Sequence, residues 1–245
     1  MASYNLGFIS DKDIFEHVAT TAQLYRRKID LAQFNSNIID PIKLTFDAKV
    51  YGKSFEEIIE SECIRQIDKA NTNHIGYFHQ NLFKYAGNGW YVPNSGFDVA
   101  NDRLKIYVEM KNKHNTMNSS SAQATYIKMQ NQLLKDPQST CMLVEAIAKQ
   151  SQNIEWRATL NGVTYCHPHI KRVSMDKFYE IVFGDKNAFA KLCSKLPNIL
   201  DDVVRLNKDV GSIQNTVYSE LRKISPETLK SLYLLAFNTY EGFNL

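Results

Sequence analysis

Lys105-Ile106-Tyr107-Val108-Glu109-Met110-Lys111 is the stretch on which the fold turns. Alternate residues of an extended strand share a face, so Ile106, Val108 and Met110 point into a core while Glu109 and Lys111 project together from the other side. Read alone, a carboxylate and an ammonium so placed are an ordinary cross-face ion pair. The preceding stretch, Ser95-Gly96-Phe97-Asp98-Val99, supplies a second reading, because a chain that turns back between the two places Asp98 opposite Glu109. That register needs a loop of about four residues centred near Arg103 and Leu104, slightly beyond the strongest turn residues, Asn101 and Asp102.

Upstream, Ser54 followed by Glu57 is a capping box, and Phe55, Ile58, Ile59, Cys63 and Ile67 recur at helical spacing, which predicts a helix over 54–70. Aromatic and β-branched residues from Trp90 to Lys111, broken by Pro93, Gly96 and Asn101-Asp102, read as three short strands. Downstream come a polar loop from Asn112 to Ser121, a helix from Ala122 to Lys135, and an apolar run from Cys141 to Ala148 suited to a buried strand. A strand near His169 to Val173 precedes helices at about 175–207 and 213–241, the last opened by Ser225-Pro226-Glu227. In residues 1–50, Asp11 to Ala32 is the best helix and Pro41 closes the region. No linker or repeat divides the chain. The expectation is a single domain over 1–245, with an N-terminal helical arm (1–50), a core (51–175) and a helical C-terminal part (176–245). Its class is α/β, a mixed central sheet flanked by helices in the order α-β-β-β-α-β, with added N-terminal and C-terminal helices.

The 245 residues are 44% hydrophobic and 22% charged, a globular composition that excludes disorder and fibre. A net charge of +3, from 29 basic and 26 acidic residues, gives no general attraction to phosphate or anionic membrane, so a nucleic-acid surface has to be a local patch. Cys63, Cys141, Cys166 and Cys193 lie far apart without a CxxC, three of them in apolar surroundings, which reads as free thiols in a reducing cytoplasm. No run approaches the roughly 18 apolar residues of a membrane span, and the start lacks a signal-peptide pattern.

Three motifs fail on inspection and a fourth is missing. Gly52-Lys53-Ser54 resembles the end of a phosphate-binding loop, yet Asp47 stands where that loop needs glycine. Cys166-His167-Pro168-His169 gathers zinc-type ligands without a second ligand pair. Asn118-Ser119-Ser120 is a glycosylation acceptor only in a secreted chain. No Gly-x-Ser-x-Gly elbow is present.

Two carboxylates beside a lysine suit phosphodiester hydrolysis. Hard oxygen ligands bind Mg²⁺, which neutralises the scissile phosphate and acidifies a bound water, and an ammonium steadies the attacking hydroxide and the transition state. Asp98 followed by Glu109-Met110-Lys111 resembles the signature of the PD-(D/E)XK nuclease superfamily, whose core has the same α-β-β-β-α-β order; Phe97 stands where that signature usually has proline. The resemblance implies Asp98, Glu109 and Lys111 as catalytic residues, Asp98, Glu109 and Met110 on the metal side, and Mg²⁺ as cofactor. Gly52 followed by Glu56 resembles the further carboxylate of many members, although Glu57 and Glu60 are neighbours of equal chemistry and Glu62 lies on the apolar side of the helix, where a carboxylate needs a reason to be. The stretch from about Asp40 through Pro197, especially Val108 to Asn118 and Lys177 to Asp185, is similar to the type II restriction endonucleases that cut GGNCC.

That resemblance implies an enzyme that cuts both strands of double-stranded DNA at a short palindrome, acts as a symmetric homodimer, and is accompanied by a DNA methyltransferase that protects host DNA. A structure-specific repair or recombination nuclease and a non-catalytic DNA-binding protein are the other readings. Converging carboxylates repel phosphate and argue against the last. Candidate DNA contacts near the strand ends are Lys113, His114, Asn115, Asn118, Arg157, Lys171 and Arg172, to bases or to phosphates. Leu221, Leu229, Leu232, Leu234, Leu235 and Phe237 either close the core or form the dimer seam.

Overall fold

The computed structural model describes residues 3–114, 116–160, 162–206 and 213–241. In chain order the elements are α1 (Asp11–Leu24), β1 (Lys28–Ile29), α2 (Leu31–Asn35), α3 (Pro41–Tyr51), α4 (Phe55–Leu82), β2 (Val99–Asn101), β3 (Ile106–Lys113), α5 (Ser119–Lys135), β4 (Thr140–Ile147), β5 (Asn153–Glu155), β6 (Ala158–Leu160), β7 (Val163–Tyr165), β8 (Ile170–Ser174), α6 (Met175–Phe183), α7 (Ala188–Leu206), β9 (Gln214–Asn215), α8 (Val217–Ile224) and α9 (Thr228–Phe237). They pack as two compact units, one of Met1–Ala22 with Ile75–Asn207, the other of Gln23–His74 with Lys208–Leu245.

The first unit holds a five-stranded mixed sheet in the order β2-β3-β4-β8-β5, parallel in its middle and antiparallel at both edges. One face carries Val99, Val108, Met142, Val144 and Val173, covered by Ile14 and Val18 of α1, Phe178 and Tyr179 of α6, and Leu192 and Ile199 of α7. On the other face, Cys141, Leu143 and Ile170 receive Tyr126, Met129 and Leu133 of α5. Asn118 starts α5 by accepting the N–H of Ser121 at 2.8 Å, and the one-sided spacing of its apolar residues seats the helix on the sheet. Leu143 is fully buried between strand neighbours and α5, so its truncation to alanine costs about 2–5 kcal/mol.

The second unit is helical, with the two-stranded parallel β1–β9 pair as its sheet. Its core gathers Ile29, Phe34, Leu44, Ile58, Ile59, Cys63 and Ile67 with Val217, Leu221 and Leu232. Leu221 and Leu232 therefore close a core, and Leu235 packs against it from a half-buried position.

Several expected boundaries move. The helix from Asp11 stops at Leu24, and Pro41 opens α3 instead of closing a region, because Asp40 accepts the N–H of Lys43 at 3.0 Å and a proline at the first helical position sacrifices no hydrogen bond. Gly52 ends α3 in the left-handed conformation at φ 63°, and Ser54 and Glu57 exchange the bonds of a capping box, so Gly52-Lys53-Ser54 is a helix-to-helix junction. The helix begun there runs to Leu82, well beyond residue 70. Of the three strands expected before α5, the first is reduced to a single bridge, Tyr91 with Ala100, since Pro93 and Gly96 interrupt it. The long helix expected from 175 breaks at Gly184, again left-handed, and the last region divides where Ser225 caps α8 and accepts the N–H of Glu227. Two of the four cysteines, Cys63 and Cys141, are buried, one fewer than the three expected in apolar surroundings; Cys166 and Cys193 are exposed, and all four are free thiols. Among the described residues no helix is long and apolar enough to cross a membrane.

Candidate active site

β2 and β3 pair Val99 with Val108, Ala100 with Tyr107 and Asn101 with Ile106, so the next pair outward sets Asp98 against Glu109. Two main-chain bonds hold it there: Asp98 donates its N–H to the Val108 carbonyl at 2.8 Å, and its Oδ2 accepts the N–H of Met110 at 2.7 Å. The turn between the strands is Asp102 to Lys105. Asn101, fully buried, fixes it by accepting the N–H of Leu104 and donating to the Asn88 carbonyl, both at 3.0 Å. Asp102 accepts the hydroxyls of Tyr91 at 2.8 Å and Tyr107 at 3.1 Å, and its bond, with burial, pushes the Tyr91 phenol up to about 12. Lys105 takes a positive φ of 55° to complete the reversal.

Ile106, Val108 and Met110 face the first core cluster, which leaves Glu109 and Lys111 on the α5 side of the sheet. Met110 thus borders Asp98 through its main chain alone. Lys111 Nζ donates to Glu109 Oε1 at 2.8 Å. A second cation joins from α5: Lys128 Nζ donates to Glu109 Oε2 at 2.5 Å and to the Gly96 carbonyl at 2.6 Å, and sits 4.6 Å from the centre of the Phe97 ring. The two carboxyls are pushed apart in proton affinity. Burial raises Asp98 above the usual carboxylate range, and the Glu109 charge adds to this while the Met110 N–H and the two lysines offset part of it. Burial also works to raise Glu109, but the hydrogen bonds from Lys111 and Lys128 outweigh it and hold that group below its ordinary value.

This donor set is hard oxygen of carboxylates, with no sulfur or imidazole in it. Among the described residues no group of three or more His, Cys, Asp or Glu side chains is placed to cage an ion. A pair of carboxylates fits a cation that keeps most of its ligands as water or substrate oxygen, which is how Mg²⁺ binds and how Zn²⁺ does not.

A second ionic group lies one strand over. β3 and β4 run in parallel with Lys111 beside Glu145. Glu145 is 1% exposed and is bonded by Arg172 from β8 and by His114 Nδ1 at 3.1 Å, while Arg172 Nη2 lies 2.7 Å from that same Nδ1. Burial works to raise Glu145, and the bonds from Arg172 and His114 overcome it. Arg172, Lys171 and Arg157 also line an open groove of about 540 Å³ along the β5 edge, with Trp156 in its wall. Arg172 therefore joins His114 to that groove. Lys113 is exposed at the end of β3, and Asn118 is committed through its carbonyl oxygen to capping α5. Asn115 lies outside the described residues.

The structure brings Asp98, Glu109 and Lys111 together as the sequence predicts. Glu56 is exposed in the first turn of α4, in the second unit, whereas those three belong to the first. Glu57 is occupied in the capping box. Glu62 has the partners its position demanded, accepting from Arg65 at 2.6 Å and 2.5 Å and from Gln66 at 3.0 Å. Cys166 and His167 are exposed, and His169 Nδ1 lies 3.0 Å from the Ser139 carbonyl. Sequence reasoning missed Lys128 and Glu145. No local pattern marks Lys128, which reaches the site only because α5 crosses β3. Glu145 did carry a signal, a lone carboxylate inside an apolar strand, which burial tolerates only with partners.

Comparison with known proteins identifies the relatives of this chain. The family model of the Eco47II restriction endonuclease matches residues 6–205. The type II restriction enzyme Sau96I of Staphylococcus aureus is 31% identical over 90% of this chain and 89% of its own length. The type II restriction enzyme Eco47II of Escherichia coli is 30% identical over 81% of this chain and 88% of its own.

Proposed function

Since the chain belongs to the Eco47II restriction endonuclease family and is a restriction endonuclease, we propose that Asp98, Glu109 and Lys111 form its catalytic centre and act with Mg²⁺ on double-stranded DNA. The observation that carries this reading is the convergence of two carboxylates across the β2–β3 pair with the Lys111 ammonium 2.8 Å from one of them. Asp98, Glu109 and the main chain of Met110 would hold the cation, in keeping with the PD-(D/E)XK resemblance of Asp98 and Glu109-Met110-Lys111. When bound, Mg²⁺ supplies charge neutralisation at the scissile phosphate and a lowered pKa for water.

The protein residues do the remainder. Glu109 presents an ionised carboxylate, since its two lysines stabilise the charged form. Lys111, whose Nζ lies 2.8 Å from Glu109, would hydrogen-bond the attacking oxygen and a phosphate oxygen as negative charge builds there. Water adds to phosphorus and gives up a proton to solvent, the P–O bond to the leaving oxygen breaks, and that oxygen takes a proton from solvent water. Contacts to DNA fall to Lys113 at the end of β3 and to Lys171 and Arg157 along the β5 edge, whereas Arg172 and His114 are engaged with the buried Glu145.

The resemblance of Val108 to Asn118 and Lys177 to Asp185 to GGNCC-cutting enzymes supports that palindrome as the site. A two-fold site and one catalytic set per chain support a symmetric homodimer that cuts one strand per subunit, with a methyltransferase guarding the host's own sites. Plasmid incubated with the purified protein in Mg²⁺ yields discrete fragments whose ends map to GGNCC. Cutting of branched DNA without regard to sequence would support the structure-specific alternative, and retention without cutting the non-catalytic one.

A further inference from the structure

Glu109 has two oxygens, and each is taken by a different lysine, an arrangement that has to be undone before a divalent cation can use that carboxylate. The two lysines are not equivalent. Lys111 Nζ is bonded to Glu109, whereas Lys128 Nζ is also held by the Gly96 carbonyl at 2.6 Å and stands over the Phe97 ring at 4.6 Å. Neither of these extra partners belongs to the carboxylate pair. When Glu109 turns away, Lys111 is free to move toward substrate and Lys128 keeps its place beside the site. The charges also balance. Asp98 and Glu109 contribute two negatives, Lys111 and Lys128 two positives, for a formal sum of zero. A doubly charged cation gains little from entering a neutral, partly desolvated site, and gains much more once a DNA phosphate brings further negative charge.

We infer that Lys128 is the resident counter-ion of Glu109, a positioning residue that keeps the carboxylate pair neutral and weak for divalent cations until DNA phosphate arrives. This rests on the proposal that Asp98 and Glu109 hold a divalent cation. A lysine serving only to brace the helix against the Gly96–Asp98 segment would act in the opposite sense, because its loss would loosen Glu109 and weaken cation binding.

The test is Mn²⁺ binding to the full-length protein without DNA, read from the free-ion paramagnetic resonance signal, for wild type, Lys128→Met, Lys128→Gln, Lys128→Arg and Asp98→Ala, each checked for folding by thermal melting. Lys128→Met and Lys128→Gln bind Mn²⁺ at least about fivefold more tightly than wild type, a gain that shrinks as salt is raised, and Lys128→Arg stays at the wild-type value. Two neutral replacements guard against one of them failing to fold. Affinity equal to or weaker than wild type in the neutral variants overturns the inference, and so does Lys128→Arg matching them. If Asp98→Ala binds Mn²⁺ as well as wild type does, the cation-site proposal itself fails, an outcome separate from that of the Lys128 variants.

Discussion

Two carboxylates on neighbouring strands, both facing α5, are each bound by two cationic or imidazole partners, and they are built for different ends. Glu109 keeps 13% of its side chain exposed, with partners that are flexible lysines 29% and 32% exposed. Glu145 keeps 1%, under an arginine and a histidine that are less than a fifth exposed. Water reaches the first group, so its ion pairs are exchangeable and contribute little to stability. The second is desolvated, so each member depends on the others being present. Residue type does not separate the carboxylate proposed for catalysis from the bracing one; access to solvent does.

The sharpest way to break this comparison is to delete both carboxylates in parallel. Glu145→Ala leaves Arg172 facing an empty, buried position and costs about 3–5 kcal/mol, measured by urea unfolding. Glu109→Ala, after which Lys111 swings into solvent and Lys128 keeps its bond to the Gly96 carbonyl, costs about 1 kcal/mol or less. Equal losses would erase the distinction.

The acid limb of stability should divide in the same way. Glu145 has its folded pKa depressed, so its contribution is in place above the ordinary carboxylate range and is lost as pH falls through the folded value. Asp98 has its folded pKa raised, which reverses the sign: the native state there binds more protons than the unfolded state, and the cost of its charge is relieved as pH falls. Asp98→Asn accordingly raises the melting temperature at neutral pH, and the gain disappears in acid. A variant that melts lower at pH 7 would contradict the assignment.

The smallest effect is expected at Lys105, whose ammonium is 2.9 Å from Asp136 with both side chains more than 30% exposed. Lys105→Met leaves the melting temperature at moderate salt unchanged within error, because the pair is open to water and screened. A larger change would mean that the β2–β3 turn depends on this pair and not on Asn101.

What was legible in the sequence follows the same physical divide. The placement of Asp98 opposite Glu109 could be read because a strand has a period of two and the turn length is countable. Ser54 and Glu57 could be read because a capping box is local. Lys128 could not, since its approach to Glu109 depends on how α5 crosses the sheet, a long-range packing outcome with no trace in nearby residues. The short β5 edge strand and the β6–β7 hairpin escaped for another reason: at three residues each they carry too few alternations to show a period. Glu145 stood in plain view, inside a run read only for its apolar neighbours.

The central claim is that the Asp98, Glu109 and Lys111 group cuts DNA and is dispensable for folding. It is tested most directly by single-turnover cleavage of a GGNCC-containing duplex in Mg²⁺ by Glu109→Gln, alongside its melting temperature and its binding to the same duplex in Ca²⁺, an ion with the same oxygen preference and a weaker hold on water. The account predicts a rate reduced by at least about a thousandfold, with melting and Ca²⁺-supported binding close to wild type. A folded, DNA-binding Glu109→Gln that cuts at near the wild-type rate would contradict it.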